Sequence, residues 1–144
     1  MNSASTQSAA PAQPLSRGDF IVPRWMGQIA VQPEESALTL GDESLSYGEV
    51  GARVDRLAAF LGDHGVGPGT VVGIHLDRSF DLVIAILATL QAGGTYLPLD
   101  LVCPEDRLNF MVEDAGAKLV LTEARFAGRF GSRDGIISAC AIQR

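Results

Sequence analysis

The sequence is poor in residues that form disulfides and metal sites. Only Cys103 and Cys140 occur among its 144 residues, without a C-x-x-C pair, and its two histidines, His64 and His75, are not spaced like metal ligands. A disulfide framework and a structural zinc site are therefore not expected. We interpret the two cysteines as reduced thiols in a cytoplasmic protein.

Positive charge and long apolar runs are also scarce. There are 11 Lys and Arg against 17 Asp and Glu, with a formal net charge of -6 and no basic cluster. Binding to nucleic acid or to anionic lipid requires positive charge, so neither is expected as a partner. The longest apolar stretch, Leu82 to Leu90, is far shorter than the roughly 20 residues of a membrane span.

Signals for export and for nucleotide binding are missing as well. Residues 1–14 are rich in Ser, Ala, Gln and Pro and lack a basic start followed by an apolar run. They do not resemble a signal peptide, and we predict a disordered leader over residues 1–22. No G-x-x-x-x-G-K-[ST] or G-x-S-x-G motif occurs. The glycines of 65–69 follow a predicted helix and precede a predicted strand, the reverse of a phosphate loop, so they predict a turn.

Hydrophobic residues make up 47% of the chain, enough for a core. We predict a short helix over Pro23–Val31 and a hairpin in which 37–40 and 43–45 flank Gly41-Asp42. Ser46 and Glu49 have the spacing of a capping box. The helix that follows them has an apolar stripe of Val50, Val54, Leu57, Ala58 and Leu61.

Strands then alternate with helices. Strands are predicted over 71–76, 95–99 and 118–122, a helix capped by Ser79 over 82–92, and a helix with Pro104 at its first position, ending at Gly116. The 82–92 helix is apolar on nearly every side, so we expect burial on most of its faces. The alternation predicts an α/β fold with a mostly parallel sheet and flanking helices. Residues 123–144 are predicted to be an irregular tail, with Ile136-Ile137 as its only strand-like pair.

None of the side chains that could act in catalysis or ligand binding predicts an active site. His64 fits a helix end, where a cation suits the dipole, and His75 fits one face of a strand. Cys103 precedes a helix but has no partner base. The acidic residues fit caps, dipole partners or solvated surface. The residues therefore predict no catalytic, cofactor-binding or metal-binding residue.

Two segments nevertheless resemble the first core motifs of nonribosomal peptide synthetase adenylation domains. Residues 45–50, L-S-Y-G-E-V, resemble L-[TS]-Y-x-E-L, and residues 90–100, L-Q-A-G-G-T-Y-L-P-L-D, resemble L-K-A-G-x-A-Y-[LV]-P-[LI]-D. Residues 104–108, P-E-D-R-L, resemble the family's P-x-x-R-L. The resemblance covers about Trp25 to Thr122. The departures are Gln91 for the usual Lys and Val102-Cys103 where an aromatic residue is preferred.

The resemblance implies the incomplete N-terminal subdomain of the adenylate-forming fold, with a partial AMP-binding domain over residues 23–122. The family uses ATP and Mg2+ to activate an amino acid and then transfers it to a phosphopantetheine carrier. Its phosphate loop and catalytic lysine have no counterpart here. The implied function is therefore that of a fragment that is inactive alone, and its implied partner is the remainder of the domain or a synthetase chain.

Two alternatives remain open from the sequence. The chain could be a non-enzymatic interaction module that docks on a partner synthetase. It could also be an unrelated small α/β binding protein of flavodoxin-like shape, which the two motifs disfavour.

Overall fold

A computed structural model describes residues 20–138. Strands and helices alternate through most of this range, preceded by one helix and a hairpin. The helices are α1 (Ile21–Val31), α2 (Tyr47–Asp63), α3 (Phe80–Gln91), α4 (Glu105–Asp114) and a 3-10 helix (Ala124–Phe130). The strands are β1 (Ser36–Leu40), β2 (Glu43–Ser46), β3 (Val71–His75), β4 (Thr95–Pro98), β5 (Leu119–Thr122) and β6 (Ile136–Ser138).

Two sheets organise these elements. β1 and β2 pair antiparallel as the predicted hairpin. The other four strands form a parallel sheet in the order β4-β3-β5-β6, so β3 lies between its next two strands in the sequence. This order confirms the predicted α/β fold with a parallel sheet and crossover helices. Among residues 20–138, no helix has both the length and the apolar character needed to cross a bilayer.

Each face of the parallel sheet carries its own core. On one face, side chains of β3 and β5 pack with the apolar stripe of α2 and with α3; this first cluster includes Val54, Leu61, Val72, Ile84 and Leu121. On the other face, α4 and the 3-10 helix complete a second, smaller cluster of Leu99, Leu108, Val112, Val120 and Phe130. The period-two alternation of a strand explains why consecutive residues of β5 enter different clusters.

The capping box begins α2 as predicted. The backbone N–H of Glu49 donates to Ser46 Oγ over 3.2 Å, and the backbone N–H of Ser46 donates to Glu49 Oε2 over 2.8 Å. Two of the helix's unpaired amides are thereby satisfied at the end of β2. The helix is consequently anchored to the hairpin, and its stripe faces the first cluster.

Several expectations were wrong in detail. α1 begins at Ile21, inside the predicted leader, because Pro23 is tolerated in the first turn, where amides have no helical partner. Pro104 is the N-cap of α4 rather than its first helical residue. Residues 1–19 and 139–144 lie outside the described range. Most of the predicted leader and Cys140 are among them.

The segment after Thr122 is also more regular than expected. It contains the 3-10 helix, and β6 extends the parallel sheet through pairs such as Val120 with Ile136. Periodicity over so few residues is too short to detect, and the strand depends on pairing with β5. The division into a leader, a partial domain over 23–122 and a tail stays a prediction.

Burial of α3 on most of its faces is confirmed in part, because none of its residues is exposed but only one side is fully buried. Its buried residues are Ile84, Ala85, Ala88 and Thr89, which share one side of the helix. The other apolar side chains keep partial exposure because no described element covers that side completely.

Candidate functional site

The carboxyl ends of the parallel strands form the first candidate for a site. β3 is followed in the sequence by its neighbour on one side, β4, and then by its neighbour on the other side, β5. In open α/β sheets, ligands bind outside the carboxyl ends of the two strands where the order reverses in this way. The residues that follow β3 and β5 therefore lie where such a crevice would form.

A paired charge cluster occupies this position. The backbone N–H of Asp77 donates to Glu123 Oε1 over 3.0 Å. Arg125 Nε donates to Glu123 Oε2 over 2.7 Å, and Arg125 Nη2 donates to Asp77 Oδ2 over 3.3 Å. The bond from Arg125 lowers the pKa of Glu123, and Glu123 raises the pKa of Arg125. Because these charges bind one another, the cluster does not present a free cationic site to a phosphate.

His75 lies beside this cluster, fully buried at the end of β3. Its Nδ1 is 3.1 Å from the Leu99 carbonyl, and its Nε2 is 3.2 Å from Arg129 Nη1. A guanidinium only donates, so Nε2 must accept and Nδ1 must carry the hydrogen that Leu99 accepts. Burial is the main cause that lowers the pKa of His75. The imidazole is therefore held neutral.

Arg129 connects this histidine to the loop between β4 and α4. It donates to the carbonyls of Leu101, over 2.6 Å, and Cys103, over 2.5 Å, and its Nε lies 4.0 Å from Glu105. The rings of Phe126 and Phe130 meet the imidazole edge-on, with centroids 5.5 and 5.2 Å away. Both imidazole nitrogens are therefore used inside the protein, and the group has a structural role rather than that of a solvent-accessible base.

A cleft of about 700 Å³ opens between the hairpin, α2 and the start of α3. Charged groups of both signs line it, with Arg53 and Arg56 from α2, Glu43 from β2 and Asp81 from α3. The two carboxylates offset the positive charge that the two arginines bring to the cleft. The cleft thus lacks the charge of a single sign that attracts a phosphate group.

The other singled-out residues also have structural surroundings. His64 is the C-cap of α2, with Nδ1 2.8 Å from the Phe60 carbonyl, in agreement with the capping role expected for it. Cys103 is half-buried, and its carbonyl accepts from Arg129. Within residues 20–138, no group of three or more His, Cys, Asp and Glu residues is arranged to hold a metal ion.

Sequence reasoning missed the contact between His75 and Arg129. The two residues are 54 positions apart, and no local pattern connects them. One local signal could have drawn attention to this segment. Phe126 and Phe130 are spaced like neighbours on one helical face, and Arg129 lies between them in the sequence.

A sequence profile of the family described as AMP-binding enzyme matches residues 26–141. The chain belongs to this family. Zwittermicin A synthase ZmaJ of Bacillus cereus is 45% identical to it over 103 residues, which are 72% of this chain and 20% of that protein. Tyrocidine synthase 2 of Brevibacillus parabrevis is 38% identical over 122 residues, which are 84% of this chain and 3% of that protein. The chain therefore spans only a small part of the length of these relatives.

Two solved structures share this fold. The nonribosomal peptide synthetase FmoA3, bound to α-methyl-L-serine-AMP, aligns with a TM-score of 0.76 and 30% identity over 82% of this chain and 14% of its own. The o-succinylbenzoate coenzyme A synthetase MenE of Bacillus subtilis, with ATP and a magnesium ion, aligns with a TM-score of 0.77 over 83% of this chain and 33% of its own. MenE is 24% identical and therefore shows the fold alone.

The chain thus matches a short N-terminal part of a nonribosomal peptide synthetase adenylation domain, in a family of ATP-using adenylating enzymes. The two segments that resemble the family's core motifs both have structural roles in this chain. L-S-Y-G-E-V holds the capping box between β2 and α2, and the second motif forms the turn from α3 into β4. In that turn Gln91, the departure from Lys, donates to Asp55 Oδ1 over 2.6 Å and joins α3 to α2.

Proposed function

We propose that this chain supplies the N-terminal part of an enzyme that activates an amino acid as its adenylate, and that it does not catalyse this reaction alone. In the complete reaction, a carboxylate oxygen of the amino acid attacks the α-phosphorus of ATP, and pyrophosphate leaves. ATP and Mg2+ would be the cofactors, and a phosphopantetheine thiol on a carrier domain would accept the aminoacyl group.

The match over residues 26–141 carries the proposal, and relatives such as zwittermicin A synthase ZmaJ and tyrocidine synthase 2 support it. The chemistry of the described residues supports inactivity of the chain alone. Arg125 is paired with two acids, and His75 is buried and neutral. Neither residue is free to neutralise a triphosphate or to accept a proton.

Pyrophosphate exchange tests both halves of the proposal. We expect no amino-acid-dependent exchange between ATP and pyrophosphate with the isolated chain and any of the common amino acids. We expect exchange from a chimera in which residues 26–138 replace the aligned segment of ZmaJ. A second chimera, carrying the aligned segment of tyrocidine synthase 2, controls for the junctions.

The two results have separate meanings. Exchange by the isolated chain above a protein-free control would overturn its inactivity. If the control chimera exchanges and the chimera with residues 26–138 does not, the chain is not a working N-terminal part of the enzyme. The alternative, a non-enzymatic module that docks on a synthetase, would then be favoured by the exposed apolar side chains of Phe20, Ile21 and Met26 at α1.

A further inference from the structure

One buried imidazole contacts three side chains of a single segment. His75 ends β3, where the rings of Phe126 and Phe130 meet it edge-on and Arg129 Nη1 lies 3.2 Å from its Nε2. All three side chains belong to residues 123–138, which contain the 3-10 helix and β6. We call residues 123–138 the β6 segment. His75 is therefore a central contact between this segment and the rest of the protein.

The other contacts of the β6 segment are limited. β6 has three residues and pairs with β5 alone, at the edge of the parallel sheet that the described residues form. Arg133 Nη2 lies 2.8 Å from Glu113, but that carboxylate is largely exposed, and exposed ion pairs contribute little. Asn109 of α4 donates to the Arg129 carbonyl over 3.1 Å. The contacts around His75 are therefore a large part of what holds the segment in place.

A proton on His75 is incompatible with its contact to Arg129. Nδ1 already carries the hydrogen that the Leu99 carbonyl accepts, so a second proton must go to Nε2. Nε2 would then donate toward a guanidinium that also only donates, and two cations would be in contact away from water. The imidazole and the guanidinium must separate when His75 is protonated.

The architecture determines which of the two groups can move. β3 is bonded to β4 on one side and to β5 on the other, so the backbone of His75 is held in the middle of the sheet. Arg129 is on the short 3-10 helix, and its other donors go to the carbonyls of Leu101 and Cys103. Withdrawal of its guanidinium loses these bonds as well. The β6 segment is therefore the part that can leave.

Charged groups from the neighbouring elements act on His75 in both directions. Burial lowers the pKa of His75 most, and the charge of Arg129 lowers it further. The charges of Glu123, at the end of β5, and of Asp100, in the loop after β4, raise it without reversing the direction. From α4, the carboxylate of Glu105 lies 4.0 Å from Arg129 Nε. The neutral imidazole is thus the form that suits the closed β6 segment.

We propose that protonation of His75 releases the β6 segment from the sheet while β3, β4 and β5 remain paired. The release separates Arg129 from the new charge and uncovers the outer edge of β5. In the opened form the imidazole is accessible to water, with a pKa near the ordinary value of 6.5. Opening should therefore be independent of pH above about 6.5 and increase below it. This inference does not depend on the proposed function.

Hydrogen exchange read by mass spectrometry on the full chain tests the proposal at pH 7.5 and 5.5. Each rate is divided by that of an unstructured peptide at the same pH, which removes the intrinsic effect of acid on exchange. We expect this ratio to rise up to about tenfold in the β6 segment as the pH falls, for the uptake of one proton. It should also exceed the ratio in β3, which opens only with the whole fold. The helix α1, which has no fully buried residue and no contact with His75, should not change.

Two variants identify the responsible contact. His75→Asn cannot titrate and should lose the rise, whereas the matched control His64→Asn, at the end of α2, should keep it. Arg129→Gln provides a second variant, in case His75→Asn does not fold. Its amide can donate to the neutral ring and accept from the protonated one, so most of the rise should disappear.

Three results would overturn the proposal. Exchange of the β6 segment at the same ratio as β3 would show that it opens only when the whole chain unfolds. A ratio that is higher than that of β3 but equal at both pH values would show that His75 does not control the opening. A rise that persists in both His75→Asn and Arg129→Gln would assign the pH dependence to another group.

Discussion

Arg129 donates from Nη1 to Nε2 of His75 over 3.2 Å and thereby fixes the neutral form of the buried imidazole. A proton on Nε2 would remove the only acceptor that the guanidinium finds on the ring and would place two cations in contact. The contact joins the end of β3 to the 3-10 helix, and through Arg129 to the loop that precedes α4. Protonation of His75 therefore disfavours the folded state.

The first prediction concerns pH. Because the folded pKa of His75 lies below its unfolded value of 6.5, the unfolded chain binds the proton first as the pH falls. The free energy of unfolding should be level above about pH 6.5 and should decrease below it, by at most about 1.4 kcal/mol per pH unit for one proton. Glu123, whose folded pKa is lowered, contributes in a separate window, below its unfolded value of 4.5.

Urea unfolding between pH 5 and 8 measures this effect. His75→Asn cannot titrate and should lose the decrease below pH 6.5. His64→Asn, at the exposed end of α2, is the matched control and should keep it. An identical pH dependence in the wild-type chain and His75→Asn would refute the link between this histidine and stability.

The second prediction compares two arginines of the same segment. Arg129 donates to two backbone carbonyls and to His75 in a partly buried position, so Arg129→Ala should lower the free energy of unfolding by roughly 3 kcal/mol. Arg125 lies at the surface with its ion-pair partners, where such pairs contribute little, and Arg125→Ala should have a much smaller effect. Urea midpoints decide the order, and equal losses would contradict it.

The third prediction tests the start of α2. Ser46→Ala removes one half of the capping box and should lower the free energy of unfolding by about 1 kcal/mol. Ser132→Ala, at an exposed serine outside any helix or strand, controls for the substitution itself. An unmoved urea midpoint for Ser46→Ala would show that the helix does not depend on this cap.

The fourth prediction tests β6. Gly135 has φ +84°, and a Cβ there would lie 2.5 Å from the Lys118 carbonyl oxygen. Gly135→Ala should therefore cost on the order of 2 kcal/mol and speed hydrogen exchange at Val120, whose N–H donates to Gly135. Gly128→Ala has open space and an ordinary φ, so it should be neutral or slightly stabilising. Unchanged exchange at Val120 in Gly135→Ala would argue against this strand pairing.

Local signals predicted most of the fold. Ser46 and Glu49 are three residues apart, so their capping box could be read directly, as could the stripe that includes Val50 and Leu61. The order of strands and helices then indicated the parallel sheet. What the sequence did not reveal depends on partners distant in the chain. β6 is defined by its pairing with β5, and the orientation of His75 by Arg129.

The same distinction explains why the expectation for α3 was confirmed only in part. The apolar residues on every side of this helix were read correctly from the sequence, but the extent of its burial depends on which surfaces are present to cover it. Residues 20–138 bury the side that includes Ile84 and Ala88 completely and leave Val83 and Leu90 half-buried. The composition of a helix indicates the environment in which it is stable, whereas its burial depends on the neighbouring elements that are present.

The position of β3 in the sheet has a consequence for the order in which the protein can be completed during translation. Both of its neighbours, β4 and β5, are encoded after it, so the ribosome releases the central strand before either partner exists. The hairpin and α2, which precede it, are held together by contacts close in sequence and can form first. The hairpin and the start of α2 are therefore the part of the nascent chain whose contacts are available before β3 meets its neighbours.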